Sequence, residues 1–183
     1  MKTILILLLA VGAGAGRAQT GSLLPKIAPG QKTEIWSKTG YYDNNTREQV
    51  FIGEVRVVDP KITLTCERLT VDVPESGKHL SRLTAETNVV ISFVDEKNNT
   101  QKYHVTAALA VYSYSVVNSV TNETITFTGL PEQPPLVDTE QATITSEPLV
   151  WDRVAGRFFF KDYHIKLNQS LTDTNGPSPL KLN

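Results

Sequence analysis

The sequence predicts an all-β protein of the sandwich, barrel or jelly-roll kind, on three observations. Apolar and polar residues alternate with period two over most of the chain past its first segment, the pattern of a strand with one buried face. β-Branched and aromatic residues fill the alternating positions, as a pleated, half-buried surface requires. The alternating runs recur every ten to twenty residues or so, joined by short polar turns with no helical stretch between them.

The first segment is different. Met1-Lys2 precedes the apolar run Ile4 to Val11, and small residues follow up to Gly16-Arg17-Ala18. Charged start, apolar middle and small-residue end are the marks of a secretory signal peptide, expected to be cut after Ala18. The apolar run falls short of the roughly 20 residues that a helix needs to span hydrocarbon. The rest, about 165 residues, is the size of one domain with a core of its own. Residues 19–31 read as a loose lead-in, residues 32–168 as the domain, and residues 169–183, with Asn175-Gly176-Pro177-Ser178-Pro179, as a disordered tail. Eighteen basic and nineteen acidic residues give a net charge of −1 and are interspersed. That excludes the basic footprint of a nucleic-acid partner.

Taken in order, Phe51, Gly53, Val55 and Val57 share one face of a strand that ends at Asp59-Pro60, since proline cannot donate to the ladder. Ile62, Leu64 and Cys66 carry the next apolar face, and then Leu69, Val71 and Val73 carry it in the other parity. That slip predicts a bulge or sharp bend near Glu67-Arg68. Pro74 to Gly77 is a turn, followed by Leu83, Ala85, Thr87, Val89, Ile91 and Phe93 on one face, closed by the polar turn Glu96 to Asn99. Tyr103, Val105, Ala107, Leu109 and Val111 then oppose His104, Thr106, Ala108, Ala110 and Tyr112. Further strands are expected at Thr124–Thr128, Ala142–Thr145, Leu149–Trp151 and Phe158–Leu167, with Gly156 in a hairpin turn.

Catalytic chemistry finds little support. His79 lies in a polar turn, and Asp162 and His164 share a strand face with no third ligand signalled nearby. Cys66 points inward from its strand and reads as a buried, inert thiol. No catalytic residue, metal or cofactor is expected. Asn44, Asn98, Asn122 and Asn168 stand in glycosylation triplets, meaningful only in a eukaryotic secreted chain. The aromatic set Phe51, Phe93, Phe127, Trp151, Phe158 and Phe160 reads as core, or as the lining of an apolar trough if two facing sheets stand apart.

The order of the motifs resembles a known family. Thr33-Glu34-Ile35-Trp36-Ser37, Gly40-Tyr41-Tyr42-Asp43 and Val50 to Val57 resemble the opening of the LptA/OstA-type domain, the periplasmic lipopolysaccharide-transport module. Leu64 to Val71, Asn88 to Ile91, Ala107 to Tyr112, Phe127 to Pro131, Ala142 to Ile144 and Trp151-Asp152-Arg153 continue the resemblance through about Leu167. Two positions depart from the family's pattern: Glu54 stands where asparagine often follows the glycine, and Cys66 where a small residue is usual.

The resemblance implies an open twisted β-jellyroll of two facing antiparallel sheets with a V-shaped interior, a non-enzymatic carrier located in the periplasm. Its expected partners are lipopolysaccharide or a related acylated glycolipid and other jellyroll-type transport components joined by edge-strand pairing, with a homo-oligomer possible. Val55, Val57, Leu64, Val71, Val89, Ile91, Phe93, Val105, Leu109, Ile125, Phe127 and Ile144 are expected to line the interior. The chain's length leaves no room for an outer-membrane barrel, and the short leader argues against an inner-membrane anchor. The alternative is a sandwich with a filled core that binds protein or sugar through its loops, with Tyr41-Tyr42 as a turn that could stack on sugar.

Overall fold

A computed structural model describes residues 33–60, 62–72, 80–94 and 101–168. The segments expected to be a signal peptide, a lead-in, the turns at Pro74–Gly77 and Glu96–Asn99 and a tail, together with His79, lie outside the described residues. Every regular element among the described residues is a strand: β1 (Glu34–Trp36), β2 (Thr39–Asp43), β3 (Glu48–Val58), β4 (Ile62–Asp72), β5 (Arg82–Val94), β6 (Lys102–Val117), β7 (Val120–Thr128), β8 (Leu136–Asp138), β9 (Ala142–Thr145), β10 (Leu149–Asp152), β11 (Arg157–Phe160) and β12 (His164–Leu167).

All pairings are antiparallel, in the order β1-β3-β4-β5-β6-β7-β10-β11, and the sheet forks at both ends. The end of β3 pairs β1 and its start pairs β2. The start of β6 pairs β8, which continues to β9 and β12, while its end pairs β7.

A line of irregularities runs between these branches. The register shifts between Ile52 and Val55 on β3, Thr65 and Arg68 on β4, and Glu86 and Val89 on β5. Gly53 (φ 80°), Glu54 (47°), Thr87 (65°) and Asn88 (53°) sit in these shifts in left-handed conformations. Extra residues in one strand bend it, and a strand that bends this way can leave one layer and join the next. Toward the C-terminus the same line passes through the connections 129–135, 146–148 and 161–163, where Asp162 has φ 49°. Each strand or connection therefore crosses from one half-sheet to the other along a common spine. The result is an open, uncapped antiparallel jellyroll, the arms of a V meeting at the spine.

The inner face follows from this bend. On the first arm one cross-strand row, Ile35–Val57–Leu64–Ile91–Val105–Val137–Ile144–Ile165, is aliphatic across eight strands. On the second arm the row nearest the spine reads Phe51–Leu69–Ala85–Ala110–Phe127–Leu149–Phe160. Leu69, Val105 and Phe127 have no exposed surface at all, so the two arms' side chains meet rather than face an empty trough. The expected parity slip after Cys66 is the spine crossing β4.

Four expectations need correction. In β6 the inner face passes from Val105 and Ala107 to Ala110 and Tyr112, so Leu109 and Val111 point outward and Leu109 lies opposite Glu86 and Thr128. The run of small residues around Ala107-Ala108 hid that slip, because it offers no contrast between faces. Thr87, expected inside, is exposed in the bulge. Phe158–Leu167 is two strands, β11 and β12, broken at the spine. Tyr41-Tyr42 stands on edge strand β2 and not in a turn. The short strand β8, behind Pro134-Pro135, and the hairpin turn Asn118-Ser119 joining β6 to β7 had no clear sequence signal.

Candidate functional site

The interior of the V is the one place where the expected functional residues converge. Eleven of the twelve expected lining residues lie in the buried cluster or pack against it, Leu109 being the exception already noted. Val57, Leu64, Ile91, Val105 and Ile144 belong to the aliphatic row of the first arm, and Phe127 to the inner row of the second. Val55 and Val89 flank the spine. Val71 and Ile125 lie in a further row of the second arm, which reads Val71–Leu83–Tyr112–Ile125–Trp151–Phe158.

Away from the spine the arms touch through rings. Phe93 of β5 stacks on Trp151 of β10, centroids 4.1 Å apart and planes 13° apart. Phe93 also stacks on its neighbour Tyr103 at 5.0 Å, and Trp151 on Phe158 at 5.5 Å. Phe160 follows Phe158 at 6.2 Å. Stacked aromatic pairs add about 0.5–1.5 kcal/mol each beyond the area they bury.

One polar pair is buried among these groups. Glu123, on the inner face of β7 two residues before Ile125, is wholly buried and lies 3.1 Å from the Arg153 guanidinium. The Arg153 backbone N–H donates to the Glu123 carbonyl at 2.9 Å, and its guanidinium lies 5.3 Å from the Trp151 ring. Sequence reasoning missed this pair, although an acid in phase with Ile125 and Phe127 is the signal that could have found it. Burial, chiefly, and the nearby Glu123 charge push the Tyr112 hydroxyl well above the usual tyrosine range.

The candidate catalytic groups are not brought together. His104 sits on the outer face, bonded through Nδ1 to the Ser92 hydroxyl at 2.9 Å. Asp162 is in the corner before β12 and His164 begins that strand, exposed. No three His, Cys, Asp or Glu side chains among the described residues gather as a metal site would need. Cys66 is buried, donates its thiol to the Arg68 carbonyl at 3.2 Å, and has its pKa pushed up to about 11 by burial.

The two ends of the sheet are open edges. β1 and β2 each pair only with β3, and β11 and β12 only with β10 and β9. Each therefore presents one row of backbone donors and acceptors that no described strand uses.

A family model described as LptA/(LptD N-terminal domain) LPS transport protein matches residues 34–132, the stretch from β1 through β7. The chain belongs to this family. No curated protein sequence matches it. Among solved structures it is similar to the crystal structure of LptH, the LptA-homologous periplasmic component of the lipopolysaccharide transport device from Pseudomonas aeruginosa. That likeness has a TM-score of 0.57 at 14% identity and covers 82% of this chain and 92% of that one. At such an identity it establishes a shared fold. The LptA-type jellyroll expected from the order of the motifs is thus the fold of this chain, and the aligned portion extends past β7 into the strands that the family model leaves unmatched.

Proposed function

We propose that this chain is a periplasmic carrier or bridge component that shelters the acyl chains of lipopolysaccharide, or of a related glycolipid, between the arms of the V, with no covalent step. The observation that carries this reading is the aliphatic row continuous across eight strands, facing a second apolar row across the interior and ending at unpaired edges. A continuous row serves a long apolar ligand better than an isolated pocket would. Burial contributes about 0.8 kcal/mol per methylene, so a chain of about twelve carbons gains on the order of 9 kcal/mol.

The edges supply the second half of the reading. An exposed edge is ordinarily an aggregation liability, and adding a strand from another jellyroll converts it to a docking surface. β1 and β2 at one end and β11 and β12 at the other allow end-to-end addition that keeps the aliphatic rows in line from one unit to the next.

The test is site-specific photo-crosslinking in cells. A photoreactive residue at Ile91 or Phe127 captures lipopolysaccharide, and one at exposed Arg56 does not. Equal capture at all three positions removes the interior from the account. Capture at none favours the alternative, an interaction domain whose interior serves as core alone, a reading that the packing of Val105 and Phe127 supports.

A further inference from the structure

The interior is joined differently along its two sides. At the spine, the backbone itself passes from one arm to the other through the bulges of β3, β4 and β5. At the rim, among the described residues, no backbone hydrogen bond joins β5 or the start of β6 to β10 or β11. What closes the rim is contact between rings: Phe93 stacked on Trp151 at 4.1 Å and on Phe158 at 6.4 Å, and Tyr103 tilted against Phe158 at 5.6 Å.

A cleft of about 550 Å³ lies at the end of the first arm beside this rim, lined by residues of that arm alone, the outward-facing Thr63, Ser92 and His104 among them. Ile62, Phe93 and Tyr103 form its apolar part, and Asp59, Lys102 and Glu140 stand around it. Phe93 and Tyr103 therefore belong at once to the cleft and to the seam. An amphiphile held in the cleft would have Phe93 and Tyr103, two rings of the seam, beside it.

We propose that the aromatic seam of Phe93 and Tyr103 against Trp151 and Phe158 is the entry through which an acyl chain passes into the V. The proposal rests on the carrier reading and deepens it. The bulged spine acts as the hinge and the seam as the opening, because stacked rings can exchange one another for an acyl chain, whereas a strand ladder would leave broken backbone hydrogen bonds unsatisfied.

Trp151 makes the test direct, since Trp36 is the only other tryptophan. In the Trp36→Phe variant, Trp151 fluorescence is followed while a lysophospholipid carrying bromine on its acyl chain is added, with bound probe counted separately by native mass spectrometry. The expected result is quenching of Trp151 by at least half at saturation, with Trp36 unquenched in the converse Trp151→Phe variant. Bound probe with Trp151 unquenched overturns the seam and leaves the carrier reading standing. No bound probe at all overturns both.

A second test uses the Cys66→Ala protein with Tyr103→Cys and Phe158→Cys, joined by a short bis(methanethiosulfonate), which forms a reducible disulfide with each thiol and releases methanesulfinate. Joining the rim slows probe uptake at least tenfold, and reduction restores it. Uptake unchanged by the crosslink refutes entry at this place.

Discussion

Replacing Arg153 by methionine leaves the Glu123 carboxylate wholly buried with its cation gone. Glu123 has no exposed surface and Arg153 only 5%, so solvent can neither screen the pair nor reach the carboxylate once Arg153 is gone. Removing one partner of a buried pair costs about 3–5 kcal/mol, much of it the desolvation of the orphaned charge. For a domain of this size each kcal/mol lowers Tm by about 3–4 °C, so Arg153→Met should melt about 10–20 °C below the parent. Replacing both partners, Glu123→Leu with Arg153→Met, removes the charge as well as its partner and should return most of that loss. The assay is urea unfolding of the parent, both single variants and the double variant, followed by far-ultraviolet circular dichroism. If Arg153→Met costs less than about 1 kcal/mol, or if the double variant is no better than the worse single one, the pair is solvated in solution and the burial argument fails.

Other outcomes follow from single positions. Thr87→Gly should stabilise by about 0.5–1 kcal/mol, because a β-branched residue at φ 65° is strained there, whereas Thr84→Gly, in the regular part of the same strand, should destabilise by a similar amount; chemical denaturation reads both. A Cβ at Gly129 would stand 2.3 Å from the Gln133 carbonyl oxygen and 2.6 Å from the Pro134 Cα, both backbone, so Gly129→Ala should cost about 1–3 kcal/mol in the same assay. The Cys66 thiol, pushed up from 9.0 to about 11, should react with a disulfide reagent at pH 8 about 100-fold more slowly in the folded protein than in urea. Its protonated form is the one the fold favours, so this group's contribution is full below about pH 9 and is lost as pH rises through about 11. The Tyr112 hydroxyl, also raised, acts in the same direction, and stability should fall on the alkaline side in a pH-dependent melt.

Much of the first arm was legible in the sequence because its strands keep one parity. Val55, Val57, Leu64, Ile91 and Val105 are aliphatic residues at alternate positions between polar ones, and alternation translates directly into a face. The spine was legible only where it flips a strongly patterned strand, as between Cys66 and Leu69. In β6 the same crossing falls among Ala107, Ala108 and Ala110, where small residues on both faces erase the contrast and Leu109 takes the wrong side. In β5 the crossing inserts a bulge that preserves parity, so Thr87 continued the pattern on paper while its backbone had left it. The seam was out of reach for a different reason. Phe93 and Trp151 are 58 positions apart in sequence (151 − 93), and period-two patterning says which face a ring takes but not which strand of the opposite arm it meets.

Glu54 shows how a departure from the family's pattern acquires meaning from the backbone. It occupies φ 47° directly after Gly53, in the bulge that starts the spine, and asparagine tolerates that conformation better than glutamate does. Its compensation is an exposed contact, 2.7 Å from Lys38 Nζ, of a kind that contributes little in water.

The central claim is that acylated glycolipid travels between the arms of the V, and native mass spectrometry of the protein purified from its own cell envelope tests it most directly. Copurification of an acylated glycolipid in one-to-one ratio, lost on detergent treatment and lost from an Ile91→Asp variant that still folds, is the predicted result. A lipid-free protein that also fails to take up added lipopolysaccharide would contradict it, leaving the aliphatic row as core and moving the search for function to the edge strands.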